Sequence, residues 1–172
     1  MLNLTFNNNA PLKIIAGPCQ IESYDHAMKM AEIIADICHE AGIRWVYKSS
    51  FDKANRSSID SSRGIGIEQG LKILEKIKQE YTVPILTDIH SPAQANTVAE
   101  VVDIIQVPAF LCRQTDIIVA AAKTGLHVNV KKGQFLSYND VANIKNKYPK
   151  NKNFLITERG TTFGYNNLVV DM

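Results

Sequence analysis

The chain switches repeatedly between two hydrophobic patterns. Short runs rich in Val and Ile occur at KIIAGP (13–18), RWVYKSS (44–50), PILTDIH (84–90), DIIQVPA (103–109), HVNVKK (127–132) and NFLITER (153–159). Each is apolar in a block instead of at every second residue, as in a parallel strand covered on both faces. Helical stretches lie between them. HAMKMAEIIADICHEAG (26–42) and GIEQGLKILEKIKQEY (66–81) space apolar residues three and four apart, and SPAQANTVAEVV (91–102), TDIIVAAAKTG (115–125) and SYNDVANIKNKYP (137–149) follow. Local signals mark their ends: Gly42 and Gly125 as C-terminal caps, Ser91 as N-cap before Pro92, and Pro149 as a stop.

This alternation predicts parallel strands joined by right-handed helical crossovers. No linker, low-complexity tract or composition break divides the chain, so one domain over residues 1–172 is expected. An open doubly wound sheet and a (β/α)8 TIM barrel both alternate in this way. The first strand is followed by GPCQIES, without the G-x-G-x-x-G of a dinucleotide-binding open sheet. The barrel is therefore the expected architecture, with about six βα units present, because a full barrel takes about 250 residues.

Composition adds mainly exclusions. With 45% hydrophobic and 21% charged residues, the chain has ordinary globular content. A net charge of +2, from 19 basic and 17 acidic residues, gives no overall pull toward nucleic acid or an anionic membrane. No apolar run has the length of a membrane span, and MLNLTFNNNAPLK lacks the features of a secretory signal. A cytoplasmic location follows as the expectation. Three cysteines, Cys19, Cys38 and Cys112, fit reduced thiols. Cys38 lies on the apolar face of the first helix and is expected in the core.

Polar residues collect where the strands end: Cys19, Gln20 and Glu22; Lys48, Ser49 and Ser50, then Lys53, Asn55, Arg56 and Ser57; Asp88 and His90; Gln106 and Arg113; Asn129, Lys131 and Lys132; Glu158 and Arg159. In a parallel barrel these ends share the catalytic face. Five cations, Lys48, Lys53, Arg56, Lys131 and Arg159, would repel one another there unless an anion joined them. The alternative is pairing with Glu22, Asp52, Asp88 and Glu158. The expectation is one or two small substrates carrying phosphate and carboxylate groups, held by charge-assisted hydrogen bonds. Asp88 and His90 are two apart in an extended segment and point the same way, suiting a metal site, an acid–base pair or an orienting hydrogen bond. The orienting role is preferred, and Asp88 counts among the substrate-binding candidates. Trp45 and Tyr47 are expected to pack. No Ser-His-Asp order, CxxC pair, HExxH or P-loop appears.

The runs KSSFDKANRSS, TDIH, QVPAFLCRQTD, VNVKKGQF and TERGTTFGYNNLVVDM occur in this order across residues 13 to 172. Together they resemble the 3-deoxy-D-manno-octulosonate 8-phosphate synthase family. The sibling seven-carbon synthases share the fold and the ERG element but not KANRSS. The resemblance implies condensation of phosphoenolpyruvate with arabinose 5-phosphate for lipopolysaccharide synthesis. It places Lys48, Lys53, Gln106, Ala109, Lys131 and Arg159 on phosphoenolpyruvate, and Asn55, Arg56 and Ser57 on arabinose 5-phosphate. Arg113 would reach a neighbouring subunit's site, implying a homotetramer. Lys48, Lys53, Lys131 and Arg159 are the residues to which catalysis is assigned.

Cysteine at position 19, where the metal-independent branch has asparagine, resembles the metal-dependent branch. It implies Cys19 as a ligand of a divalent ion such as zinc, iron or manganese. The resemblance stops short of the family's usual length, so an incomplete barrel is expected. The alternatives are the sibling reaction, or an inactive remnant that binds sugar phosphates without turnover.

Overall fold

Strands and helices form in the predicted alternation. A computed structural model describes residues 4–7, 9–148 and 154–162. In chain order the elements are β1 (Lys13–Ala16), α1 (Tyr24–Glu40), β2 (Arg44–Lys48), α2 (Ile67–Tyr81), β3 (Ile85–Asp88), α3 (Gln94–Ala99), β4 (Ile104–Val107), α4 (Thr115–Lys123), β5 (His127–Lys131), α5 (Val141–Lys145) and β6 (Phe154–Thr157). The strand order is β1-β2-β3-β4-β5-β6, without reversal. A doubly wound sheet would reverse its order at a switch point. The unreversed order is that of a (β/α)8-barrel chain, with six of its strands among the described residues. Pairing is parallel for β1–β2, β2–β3 and β5–β6, with Ile14 opposite Trp45, Lys48 opposite Leu86 and Lys131 opposite Thr157. No described helix is long and apolar enough to cross a membrane.

Helix boundaries differ from the sequence prediction where side chains intervene. Helix α1 starts earlier, because the Ser23 hydroxyl accepts the His26 N–H at 3.1 Å and caps the first turn. Helix α3 is shorter than predicted. Ser91 does not begin it; the Gln94 side-chain oxygen accepts the N–H groups of His90 (2.7 Å) and Ser91 (3.3 Å), holding Ser91-Pro92 as a turn. Before α5 the chain makes one 3-10 turn, Tyr138–Asp140, and a second, unpredicted one, Ala109–Leu111, follows β4. Pro149, the predicted stop, lies outside the described residues.

The chain divides into two compact units: Met1–Asp88 with Val98–Ile104, and Ile89–Thr97 with Ile105–Met172. In the first, Val46, Leu86 and Ile104 form a buried cluster against which Leu4 and Phe6 pack. That amino-terminal segment carried no sequence prediction. It is tied down where Lys13 Nζ donates to the Thr5 carbonyl (2.7 Å) and lies 5.8 Å from the Phe6 ring centroid. Trp45 and Tyr47 pack as expected, edge to face at 5.9 Å, with the indole N–H on the Ala16 carbonyl and the phenol on that of Ala27. Cys38 is buried in this unit.

In the second unit Ile105 and Val107 of β4, Val128 and Val130 of β5, and Ile117, Ile118 and Ala121 of α4 supply the core. Cys112, which the sequence left open, is fully buried there. Tyr148 closes the unit, its hydroxyl donating to the Leu126 carbonyl (3.1 Å) and its ring 5.4 Å from that of Phe154.

Candidate functional site

In the first unit the site begins at Gly17. A Cβ there would lie 1.8 Å from the Lys48 carbonyl oxygen, so only glycine lets β1 run this close to β2. The chain stays paired beyond the strands: Ser49 Oγ donates to the Pro18 carbonyl (2.9 Å), and Ile21 N–H donates to the Ser50 carbonyl (2.9 Å). Cys19 is thereby held, exposed, beside the end of β2. Lys48 Nζ reaches the Cys19 carbonyl (3.5 Å) and the Ser50 hydroxyl (3.1 Å), and Lys53 Nζ donates to the same hydroxyl at 2.9 Å. Two ammonium groups thus share one buried hydroxyl.

The loop carrying Lys53, Asn55, Arg56 and Ser57 is shaped by its return to Phe51. Lys53 N–H donates to the Arg63 carbonyl (2.6 Å) and Gly66 N–H to the Phe51 carbonyl (3.1 Å). Gly64 has φ of 115°, and a Cβ there would sit 2.5 Å from the Phe51 oxygen. A bidentate pair closes the base: Arg63 Nε and Nη2 donate to the two Asp52 oxygens at 2.9 and 2.6 Å. Asp52 is therefore used on Arg63, a residue for which the sequence offered no signal, because the loop's return is a tertiary feature. Arg56 donates to the Gln20 side chain and to the Ser62 carbonyl (2.9 Å). Among the described residues neither Lys53 nor Arg56 is ion-paired with a carboxylate. Asn55 and Ser57 are exposed on the same loop, and Asp88 is buried at the end of β3.

The electrostatic result appears at Cys19. Burial acts to raise its pKa, but the hydrogen bond and charge of Lys53, with the charges of Lys48 and Arg56, outweigh it and hold the thiol below its ordinary value. Lys48, Lys53 and Arg56, three of the five cations named from the sequence, thus act on one point.

In the second unit a polar chain crosses three strands. Asn129 Nδ2 donates to Gln106 Oε1 (3.2 Å), and Thr157 Oγ1 donates to Asn129 Oδ1 (3.0 Å). Ala109 is buried in the turn after β4, and Lys131 ends β5 half-buried. Lys132, counted from sequence among the strand-end polar residues, has no exposed surface and turns inward. Glu158 pairs with it at 3.4 Å and accepts the N–H groups of Arg159 (2.8 Å) and Gly160 (2.7 Å). Partial desolvation acts to raise the Glu158 carboxyl, and these donors outweigh it and hold it below the usual range. Arg159 is exposed, and so is Arg113. Arg113 lines a cavity of about 350 Å³ with Leu136, Asp140, Asn143, Ile144 and Lys147.

Among the described residues no group of three or more His, Cys, Asp or Glu side chains comes together as a metal-binding set. Cys19 is exposed and its thiol is held toward the thiolate, so it could serve as one ligand, but one thiolate by itself sets no geometry for a divalent ion.

The model of the DAHP synthetase I family matches residues 3–172. Proteins named 2-dehydro-3-deoxyphosphooctonate aldolase from Brucella ovis, Brucella canis and Brucella suis are each 56% identical over 172 residues, covering 99% of this chain. The chain spans 62% of the length of these relatives.

Proposed function

The chain belongs to the DAHP synthetase I family, and from that premise we propose that its protein condenses phosphoenolpyruvate with D-arabinose 5-phosphate. The products are 3-deoxy-D-manno-octulosonate 8-phosphate, a lipopolysaccharide precursor, and inorganic phosphate. The observation that carries this is the meeting of Lys48, Lys53 and Arg56 around Cys19, in a chain 56% identical to the Brucella aldolases. Cations gathered in this way suit a phosphorylated, carboxylated ligand.

Residue roles rest on the motifs and on each unit's own geometry. Lys48, Lys53, Gln106, Ala109, Lys131 and Arg159 are assigned to phosphoenolpyruvate. Asn55, Arg56 and Ser57 are assigned to arabinose 5-phosphate and Asp88 to the substrate site in general, with Arg113 serving the sugar phosphate of a neighbouring subunit in a homotetramer. The enol carbon attacks the sugar aldehyde and forms the new carbon–carbon bond. Water adds to the adjacent carbon, and the tetrahedral intermediate expels phosphate, leaving the keto acid. Fixed cations stabilise the charge that develops, and holding both reactants supplies orientation. Both substrates are phosphorylated metabolites, which fits a cytoplasmic reaction. Cys19 would supply a thiolate to a divalent ion, for which zinc, iron and manganese are candidates. One thiolate does not fix such an ion, and no step here runs through it.

The test is titration of the chain with phosphoenolpyruvate, arabinose 5-phosphate and erythrose 4-phosphate, followed by an assay of phosphate release. Binding of the first two, weakened at least tenfold by Lys53→Met, is expected. A preference for erythrose 4-phosphate would favour the seven-carbon reaction, whose name the family model carries. Binding without any phosphate release would leave a sugar-phosphate-binding remnant.

A further inference from the structure

Lysine is almost never fully buried unless its charge is matched. Lys132 is fully buried, and oxygens surround its ammonium: the carbonyls of Gly160 (2.8 Å), Leu136 (3.0 Å) and Gly133 (3.3 Å), Thr161 Oγ1 (3.3 Å), and Glu158 Oε1 at 3.4 Å. An ammonium has three N–H donors, so five oxygens exceed what simple pairing needs. A ring of carbonyls closing on a positive charge is how protein backbone replaces the hydration shell of a monovalent cation.

The ring draws on two separate segments. Gly133 and Leu136 belong to the loop after β5; Glu158, Gly160 and Thr161 belong to the loop after β6. A backbone bond, Thr162 N–H to the Gln134 carbonyl at 2.8 Å, joins the same two loops. Arg159 lies between Glu158 and Gly160, both of which touch Lys132. The Glu158 carboxylate that reaches Lys132 also accepts the Arg159 N–H at 2.8 Å. The backbone of Arg159 is therefore fixed from both sides through one buried charge, while its side chain stands at the surface.

We propose that Lys132 is a positioning residue, a built-in monovalent cation whose ammonium ties the two loops together and so aims the Arg159 guanidinium at the substrate anion. The aim toward substrate rests on the function proposed above, whereas the tie between the loops does not. Lys132 itself contacts no substrate.

The experiment compares the chain with its Lys132→Ala variant in two readouts. Calorimetric titration measures affinity for phosphoenolpyruvate and for arabinose 5-phosphate. Amide hydrogen exchange measures protection at residues 133–136 and 158–162. In the variant, phosphoenolpyruvate affinity is expected to fall tenfold or more and arabinose 5-phosphate affinity less than twofold. Exchange should accelerate in those two segments only. Added propylammonium, which replaces the missing atoms, should restore both. Unchanged affinity and protection in a folded Lys132→Ala variant would overturn the proposal. So would equal loss for both ligands, or no rescue by propylammonium.

If the unsubstituted chain binds no phosphoenolpyruvate, the functional assignment fails, and the exchange pattern alone judges the tie. If Lys132→Ala does not fold, Thr161→Val removes one oxygen of the ring. A two- to fivefold loss of phosphoenolpyruvate affinity with local deprotection is then expected, and no change in either would overturn the proposal.

Discussion

At Cys19 a thiol stands where its own burial and three cations act in opposite directions. Burial raises the pKa, and Lys53, Lys48 and Arg56 together lower it further than burial lifts it. A cation favours the thiolate, so the thiolate fraction at neutral pH must exceed that of an ordinary cysteine. Alkylation by iodoacetamide, followed by peptide mass spectrometry across a pH series, should give Cys19 a midpoint below the ordinary 9.0. Cys38, whose thiol burial pushes up, should lag behind it, and the buried Cys112 should be shielded from the reagent. In Lys53→Met one favourable charge and one hydrogen bond are lost, and the Cys19 midpoint should move upward. An unmoved midpoint would mean that Lys53 does not act on the thiol. Cys19 and the three cations were each singled out in the sequence as strand-end residues, but their meeting at the thiol was not. Nor was Ser50 as the hydroxyl shared by two ammonium groups, because serine chemistry is indistinct until the backbone brings it under a charge.

Among the elements, the β3 to β4 connection shows what one carboxylate can hold. Asp103 Oδ2 accepts the N–H of fully buried Ile85 at 2.9 Å, and its own N–H donates to the Ile85 carbonyl at 3.0 Å. Its second oxygen meets Lys78 Nζ at 2.9 Å, and that lysine also caps the Val101 carbonyl at 2.9 Å. Helix α2 and strand β3 are thus joined through the residue that precedes β4. Asp103→Ala would leave a buried N–H without its acceptor and a lysine without its counter-ion. That should cost about 2–3 kcal/mol, or about 5–10 °C in thermal unfolding for a chain of this size. Lys78→Met keeps the bond to Ile85 and should cost about 1 kcal/mol. Equal losses from the two substitutions would show that the bond to Ile85 contributes nothing. Element types and order were readable from periodicity. The ends were less so: the early start of α1 and the short α3 depend on the Ser23 and Gln94 side chains, whose bonds exist only once the turn has formed.

For the whole molecule, the cations gathered near Cys19 should couple ligand binding to stability. An anion bound to the native state alone stabilises it by about 2.7 kcal/mol at one hundred times its dissociation constant. In a chain of 172 residues this is about 5–10 °C. Phosphoenolpyruvate should therefore raise the melting temperature, and Lys53→Met should reduce the rise. Added sodium chloride should reduce it as well, since exposed charges are screened beyond about 10 Å at 0.1 M salt. A rise indifferent to both would place the ligand away from these cations.

Hydrophobic periodicity by itself determined the βα alternation, the parallel strands and the residues that end them, since period and turn chemistry are local properties. Burial on both faces holds throughout β3 and β4 but not in β1 and β6, which are half-buried. The absence of a glycine-rich phosphate loop also favoured the barrel over the open sheet. Tertiary structure decided which polar groups the fold encloses and which it leaves nearer the surface. Lys131 and Lys132 are adjacent and chemically alike, yet Lys131 ends a strand half-buried while Lys132 is enclosed by five oxygens. Asp52, a possible partner for any cation near it, was assigned to Arg63 by the return of the 52–66 loop. The physical reason is common to both cases. Charge and hydrogen-bonding capacity are written in the residue, but the partners that satisfy them come from segments distant in the chain, and only folding brings those segments within reach.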